Sequence, residues 1–248
     1  MTTFSGYQIL ETLFENPNTQ VVRVKADSDG RTFIIKTTRD DHPPVEITER
    51  LTREYHMIRA LDAKGVVKAV DFKRQGHQPV FILEDIGGHD LKHLVESRSF
   101  KLDEILVVAK KAITAVGELH QAQIIHRDVK PSNFIYNPES GRLSLIDLGV
   151  ATFIRQEAAL PVNPNLFSGT LPYMSPEQTG RMNRLVDRRT DFYSFGIMLY
   201  ELLIGRLPFE SEDPLELVHA HMAKLPEAPC EINPDIPQAV SRIVMKLL

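Results

Sequence analysis

The spacing of apolar residues predicts a sheet in the N-terminal part of the chain. Five segments combine apolar or β-branched residues with flanking turn formers such as Asn, Pro, Asp and Gly. These predicted strands are residues 7–14, 20–26, 32–37, 67–72 and 80–84. Between the third and fourth strands, apolar residues recur every three or four positions over residues 46–62, which predicts a helix.

The remainder of the chain has the apolar spacing of helices. Gly87 and Gly88 end the strand pattern and indicate a hinge between two lobes. Helices are predicted at residues 102–121, 190–204, 213–224 and 237–248. Strands followed by helices are typical of the α+β class. The last helix ends on two leucines without a cap or polar tail, so we expect a fragment of a longer protein.

Composition limits the classes of function. The chain carries a formal net charge of −4 with no basic cluster, which argues against nucleic acid as the main partner. A single cysteine, Cys230, allows no internal disulfide and favours a reducing compartment. The sequence shows neither a signal peptide nor an apolar stretch long enough to span a membrane, so we expect a cytoplasmic protein.

Two polar motifs carry candidate chemistry. They are HRDVKPSN at residues 126–133 and DLG at residues 147–149. Asp128 is suited to accept the proton of an attacking hydroxyl, and Lys130 can offset charge on a transferring phosphoryl group. Asn133 and Asp147 are hard oxygen ligands suited to Mg²⁺. Each acidic or amide residue alone is more often a turn former, and the joint order indicates phosphoryl transfer from a metal-bound nucleotide to a hydroxyl.

These motifs resemble the catalytic loop and the metal-binding motif of the eukaryotic-type (Hanks-type) Ser/Thr protein kinases. The resemblance covers nearly the whole chain and implies the two-lobed protein-kinase fold. A small antiparallel-sheet lobe with one helix would occupy residues 1–86. A larger, mainly helical lobe would occupy residues 87–248 and be incomplete at its C-terminal end. The resemblance further implies ATP and Mg²⁺ as cofactors and a protein Ser or Thr hydroxyl as acceptor in intracellular signalling.

The resemblance also assigns residues outside the two motifs. Lys36, which ends an apolar strand, matches the lysine that holds the α- and β-phosphates, and Glu54 matches its helix partner. Thr170 would seat a substrate hydroxyl near the catalytic base. Asp191 matches the buried aspartate that braces the catalytic-loop backbone. Considered alone, the lysine and the glutamate are more simply explained as solvent-exposed charges.

The adenine site is implied by the same resemblance. Its residues would be Val21, Ile34, Leu83, Glu84, Ile86 and Ile135. The segment from Glu84 to Ile86 would bind the base through its backbone, with Leu83 as the gatekeeper. Ile34 stands where the family usually has alanine, and its larger side chain should crowd the pocket. The valine and the last isoleucine would sandwich the base, although periodicity also allows ordinary core positions.

Residues 147–177 resemble the activation segment, in which Thr152 and Ser168 are candidate phosphorylation sites. Residues 169–223 resemble a narrower group, namely the kinase domain that opens large multidomain bacterial signalling proteins. In that group the kinase domain precedes an ATPase-like region, a sensory domain and a histidine kinase. The narrower resemblance implies further domains in a longer parent chain.

The phosphate-covering loop departs from the family. Its three glycine positions align with Phe14, Asn16 and Thr19. Pro17 removes one backbone donor, while Asn18, Thr19 and Gln20 are expected to remain able to donate hydrogen bonds. Two interpretations stay open. The retained charged residues favour an active Ser/Thr kinase. The glycine-free loop and Ile34 favour a weakly active or inactive, pseudokinase-like interaction module that responds to nucleotide.

Overall fold

The computed structural model describes residues 4–98, 100–154, 170–181 and 184–248. The chain divides into two compact units. One comprises Met1–Gly87 together with Asp147–Gly149, and the other comprises Gly88–Ile146 and Val150–Leu248. The boundary between the two units follows Gly87. Assignment of Asp147–Gly149 to the first unit could not be read from the sequence, because these residues are distant from it along the chain.

The first unit is a five-stranded antiparallel sheet with one helix. Its strands are β1 (Tyr7–Glu15), β2 (Thr19–Ala26), β3 (Thr32–Thr38), β4 (Ala69–Gln75) and β5 (Gln78–Glu84). They are arranged in the order β1-β2-β3-β5-β4. The helix α1 (Val45–Arg59) lies between β3 and β4 in the chain. Strands joined by short turns become neighbours, and the long connection through α1 accounts for the exchange of β4 and β5.

The two faces of this sheet follow from the alternation of side chains along each strand. One face is a core of buried apolar residues: Phe4, Val22, Val24, Ile35, Val80 and Ile82. On the other face, Val21 lies opposite Lys36, and Ile34 lies opposite Leu83. The apolar face therefore forms a buried core, and the opposite face carries Lys36, the lysine predicted to bind phosphate.

The second unit is mainly helical. Its helices are α2 (Leu91–Ser97), α3 (Leu102–Gln121), α4 (Arg188–Ile204), α5 (Pro214–Ala223), α6 (Pro229–Ile232) and α7 (Gln238–Leu247). Its strands are β6 (His89–Asp90), β7 (Ile124–Ile125), β8 (Phe134–Asn137), β9 (Arg142–Leu145) and β10 (Thr152–Phe153). Strands β6, β8 and β9 form one small antiparallel sheet, and β7 pairs with β10.

The helix α4 lies at the centre of the second unit and is buried around most of its circumference. Gly196 of α4 allows α7 to approach closely. A Cβ atom added at Gly196 would lie 2.8 Å from the Cβ atom of Leu247 and 2.9 Å from Cδ2 of Leu248. The two terminal leucines are therefore packed against the central helix.

The five strands and the one helix predicted for the first unit are confirmed, as are the four longer helices predicted for the second unit. The largest differences between predicted and observed bounds are three residues, at the ends of α1 and β4. The ends of helices and strands fray, and periodicity is weakest there. The short strands β6–β10 and the short helices α2 and α6 were missed. Segments of two to seven residues are too short to establish a period.

No helix in the described part of the chain is long and apolar enough to cross a membrane.

Replacement of Ile35 tests the core of the first unit. Ile35→Ala should lower the free energy of unfolding by about 2–5 kcal/mol, because it leaves a cavity at a fully buried position. Ile9 lies in the same sheet and is 37% exposed, so Ile9→Ala should cost about 1 kcal/mol or less. Urea denaturation followed by circular dichroism measures both. Equal destabilisation by the two substitutions would contradict the proposed core.

Candidate active site

The backbone of residues 126 and 127 is held by a buried carboxylate on α4. Asp191 is fully buried and accepts hydrogen bonds from the backbone N–H of His126 at 2.9 Å and of Arg127 at 2.8 Å. Its Oδ2 also lies 2.8 Å from Nε2 of His120 on α3. The predicted bracing role of Asp191 is confirmed. The contribution of His120 was missed, because helical periodicity explains it equally well as a core residue.

Arg127 adopts a left-handed backbone conformation, with φ of 69°. A non-glycine residue in this region carries strain of about 1–3 kcal/mol, which the surrounding hydrogen bonds must offset. The side-chain amide of Gln178 donates to the carbonyl oxygen of Arg127 at 2.8 Å. The sequence analysis missed this glutamine. Its signal was the capping pair with Ser175, three residues earlier, which the structure contains.

Four donors converge on the carboxylate of Asp128. Lys130 Nζ lies 2.6 Å from Oδ2, and Asn133 Nδ2 lies 3.1 Å from the same oxygen. The backbone N–H and the hydroxyl of Thr170 donate to Oδ1 at 3.0 and 3.1 Å. Lys130 Nζ also donates to the hydroxyl of Thr170. The structure therefore brings together four of the predicted site residues within the second unit.

Asn133 is oriented by a second hydrogen bond. Its Nδ2 donates to the backbone carbonyl of Asp128 at 2.7 Å, at the end of a 3₁₀ turn, Pro131–Asn133. The other side-chain atom, Oδ1, has no hydrogen-bond partner in the described part of the chain. With the amide nitrogen occupied, the carbonyl oxygen is the atom left to coordinate a cation.

The first unit contains a second charged cluster. Lys36 Nζ on β3 lies 3.0 and 2.8 Å from the two carboxylate oxygens of Glu54 on α1, and 2.9 Å from Oδ1 of Asp147. The predicted partnership of Lys36 and Glu54 is present. The Glu54 side chain is 1% exposed, so its charge depends on the lysine for compensation.

The electrostatics of this cluster keep the lysine cationic. Burial alone would lower the pKa of Lys36, but the attraction of Glu54 and Asp147 outweighs burial and raises the pKa above its usual range. Burial raises the pKa of Glu54, and the charge of Lys36 opposes that rise. The lysine thus retains its positive charge at neutral pH, as contact with phosphates requires.

Asp147 contacts the lysine and the backbone of Gly149. Its φ of 61° is left-handed, a conformation that costs energy at a non-glycine residue. Oδ1 accepts from Lys36 and, at 3.2 Å, from the backbone N–H of Gly149. The Asp147 side chain is 46% exposed. A carboxylate oxygen and an amide oxygen are each a type of ligand that Mg²⁺ prefers, and the roles of Asp147 and Asn133 as metal ligands stay predictions.

The residues predicted to contact adenine are divided between the two units. Val21, Ile34 and Leu83 share the sheet face that carries Lys36. The backbone N–H of Glu84 donates to the carbonyl oxygen of Lys68 at 3.0 Å.

The remaining adenine residues are half-buried. Ile86 follows β5 in the first unit, and Ile135 lies in β8 of the second unit. The roles of these residues in binding the base stay predictions.

The turn at residues 16–19 corrects one expectation. The backbone N–H groups of Asn18 and Thr19 donate to Oδ1 of Asn16 at 2.8 and 2.7 Å. The N–H of Asn16 donates to the carbonyl oxygen of Thr19 at 3.0 Å, and Pro17 has no N–H. The prediction that Asn18 and Thr19 remain available as backbone donors is wrong in this conformation, because an asparagine side chain captures them. Gln20 lies within β2, paired on both sides.

The end of the predicted activation segment is anchored to α4. Glu177 accepts a hydrogen bond from the hydroxyl of Thr190 at 2.7 Å. Thr152 lies in β10. The predicted phosphorylation site Ser168 lies outside the described residues, so its role stays a prediction.

The family model of the protein kinase domain matches residues 7–248. The chain belongs to the protein kinase family. The first unit is the antiparallel-sheet lobe of its two-lobed fold, and the second unit is the helical lobe. The predicted α+β fold class is thereby confirmed.

Curated relatives are bacterial Ser/Thr kinases by name. The chain is 30% identical over 243 residues to serine/threonine-protein kinase PrkC of Bacillus subtilis, covering 97% of the chain and 37% of the relative. It is 32% identical over 225 residues to serine/threonine-protein kinase pkn2 of Myxococcus xanthus, covering 88% and 27%. With pkn3 of Myxococcus xanthus the identity is 30% over 253 residues, covering 98% and 46%. The chain thus spans less than half the length of these relatives.

Removal of Lys36 tests the buried ion pair. Lys36→Met should lower the free energy of unfolding by about 3–5 kcal/mol, because it leaves the buried Glu54 charge uncompensated. The double variant Lys36→Met/Glu54→Gln should recover part of this loss. The exposed pair of Lys73 and Asp71 provides a control, and Lys73→Met should cost about 1 kcal/mol or less.

Chemical denaturation of the four proteins measures these differences. A double variant no more stable than Lys36→Met would show that uncompensated charge is not the cause of the loss.

Proposed function

We propose that this chain transfers the γ-phosphate of ATP to a Ser or Thr hydroxyl of a protein. The single observation that carries the proposal is the convergence of Lys130, Asn133 and Thr170 on the carboxylate of Asp128. A carboxylate held in place beside a lysine and a hydroxyl is suited to orient an acceptor hydroxyl and take its proton. Membership of the protein kinase family supports this use of the cluster.

In this proposal the hydroxyl-activating residues have separate roles. Asp128 accepts the proton of the attacking hydroxyl. Lys130, whose ammonium group already lies between Asp128 and Thr170, stabilises negative charge that develops on the transferring group. Thr170 occupies the hydrogen-bonding position that an acceptor hydroxyl would take, and it therefore keeps the carboxylate oriented before substrate binds.

The nucleotide is assigned to the other charged cluster. Lys36, held by Glu54, would bind the α- and β-phosphates of ATP. Asp147 and Asn133 would hold Mg²⁺, which when bound neutralises part of the phosphate charge. The face with Val21, Ile34 and Leu83, together with Glu84, Ile86 and Ile135, would bind adenine.

The comparisons support an active kinase over a pseudokinase-like module. The curated relatives that match most of the chain are named serine/threonine-protein kinases. The predicted charged residues of both clusters are retained, whereas the capped turn at residues 16–19 and the larger side chain of Ile34 favour weak activity. We propose an active enzyme whose phosphate contacts rest mainly on Lys36 and the metal ligands.

The wider setting is also a proposal. Relatives two to four times longer than the matched region support further domains in the parent protein, as in the multidomain bacterial signalling proteins that residues 169–223 resemble. ATP and a protein substrate are the proposed partners, with no role for nucleic acid. The single cysteine favours a reducing compartment and so supports a cytoplasmic location.

The role of Asp128 is tested with Asp128→Asn. This substitution removes the base but keeps the shape of the side chain, so phosphoryl transfer should fall by about 10²–10⁴-fold. Binding of Mg²⁺–ATP should change little, because Lys36 and Asp147 lie in the other cluster and the backbone carbonyl of residue 128 still accepts from Asn133. Transfer of radiolabelled γ-phosphate to a generic protein substrate measures the first effect, and calorimetry measures the second.

Asp235→Asn is the matched control, because Asp235 is exposed and remote in sequence from both motifs. It should transfer phosphate at the wild-type rate. Undiminished transfer by Asp128→Asn would remove Asp128 from its proposed role. Wild-type protein that binds ATP without any transfer would favour the pseudokinase-like interpretation.

A further inference from the structure

The turn between β1 and β2 contains three hydrogen-bond donors aimed at one oxygen atom. The backbone N–H groups of Asn18 and Thr19 and the hydroxyl of Thr19 lie 2.8, 2.7 and 3.1 Å from Oδ1 of Asn16. Consecutive N–H groups that converge in this way form an anion-binding concavity. Here the position of the anion is filled by the side chain of the same turn.

The sheet register places this turn beside the predicted phosphate-binding lysine. Thr19 lies opposite Thr38, and Val21 lies opposite Lys36, so all four side chains share one face of the sheet. Two residues along a strand correspond to about 7 Å. A polyphosphate held at Lys36 can therefore extend along β2 towards the donors of Asn18 and Thr19.

We propose that Asn16 is an intramolecular competitor for nucleotide phosphate. Rotation of its side chain away from the turn frees three donors together, and a phosphate oxygen then takes the place of Oδ1. The apparent affinity for a nucleotide is lowered by the fraction of molecules in which Asn16 occupies its own turn. This inference rests on the proposed function. In it, Asn16 affects the binding of the triphosphate and does not affect the binding of adenine.

The consequence distinguishes phosphorylated from unphosphorylated ligands. Adenosine has no group that could displace Oδ1 of Asn16, so its affinity is independent of the state of the turn. A triphosphate must displace the side chain before it gains the three donors. Substitutions that empty the turn should therefore tighten binding of the nucleotide alone.

Three substitutions form a matched series. Asn16→Ala removes the competing oxygen, and alanine tolerates the backbone because Asn16 is not among the described residues with positive φ. Asn16→Asp keeps an acceptor in the turn and adds a negative charge that repels phosphate. Asn18→Ala alters an asparagine whose side chain makes no hydrogen bond in the described part of the chain, so it leaves the turn capped.

The experiment measures the affinity of each protein for Mg²⁺ with a non-hydrolysable ATP analogue, and for adenosine, by calorimetry. Asn16→Ala should bind the analogue about three- to tenfold more tightly than the wild type. Asn16→Asp should bind it more weakly, and Asn18→Ala should match the wild type. Adenosine should bind all four proteins equally. Hydrogen exchange at the amides of Asn18 and Thr19 should be faster in Asn16→Ala without ligand and slower once the analogue is bound.

The outcomes separate this inference from the proposed function. If the wild type binds the analogue and adenosine but Asn16→Ala binds the analogue no more tightly, the competitor role is wrong and the kinase proposal stands. Parallel changes in adenosine affinity would also overturn it, because they would show a general effect on the nucleotide site. If no variant binds either ligand, the proposed function itself fails.

Discussion

The arrangement of the candidate catalytic loop depends on the buried carboxylate of Asp191. This side chain has no access to solvent. It accepts hydrogen bonds from the backbone N–H groups of His126 and Arg127, and it also contacts the ring of His120. These bonds fix the residues that immediately precede Asp128. The left-handed Arg127 is tolerated because the hydrogen bonds on both of its sides leave the backbone no alternative. The carboxylate of Asp128 lies within hydrogen-bonding distance of its four donors.

The same physical rule governs the charged cluster of the first unit. A fully buried charge is stable only when it is paired, and Glu54 and Lys36 compensate one another on neighbouring elements. In the turn at residues 16–19, the side chain of Asn16 accepts the hydrogen bonds of the backbone donors, so these donors are not left for a ligand. In the proposed nucleotide site the ion pair of Lys36 is therefore formed, and the backbone donors of the turn are occupied by Asn16.

The sequence predicted the longer elements well, because the strands near Lys36 and helices such as α3 have clear periods of two and of three to four residues. The order of residues 126–133 predicted that Lys130 lies beside Asp128, whereas the position of Thr170 near Asp128 was implied only by the family resemblance. Side-chain capture of backbone donors by Asn16 was not predictable, because a turn former offers several hydrogen-bonding patterns with similar energies. The hydrogen bond from Gln178 to Arg127 was missed for a different reason, because the two residues are 51 positions apart in the sequence.

The central claim is that the chain phosphorylates hydroxyl groups of proteins, and the identity of the phosphorylated amino acid tests it most directly. The purified chain is incubated with Mg²⁺, labelled ATP and a mixed protein substrate, and the labelled residues are identified by mass spectrometry. We expect label on Ser and Thr, with none on Tyr, His or Asp. Label confined to Tyr, His or Asp, or release of free phosphate alone, would contradict it.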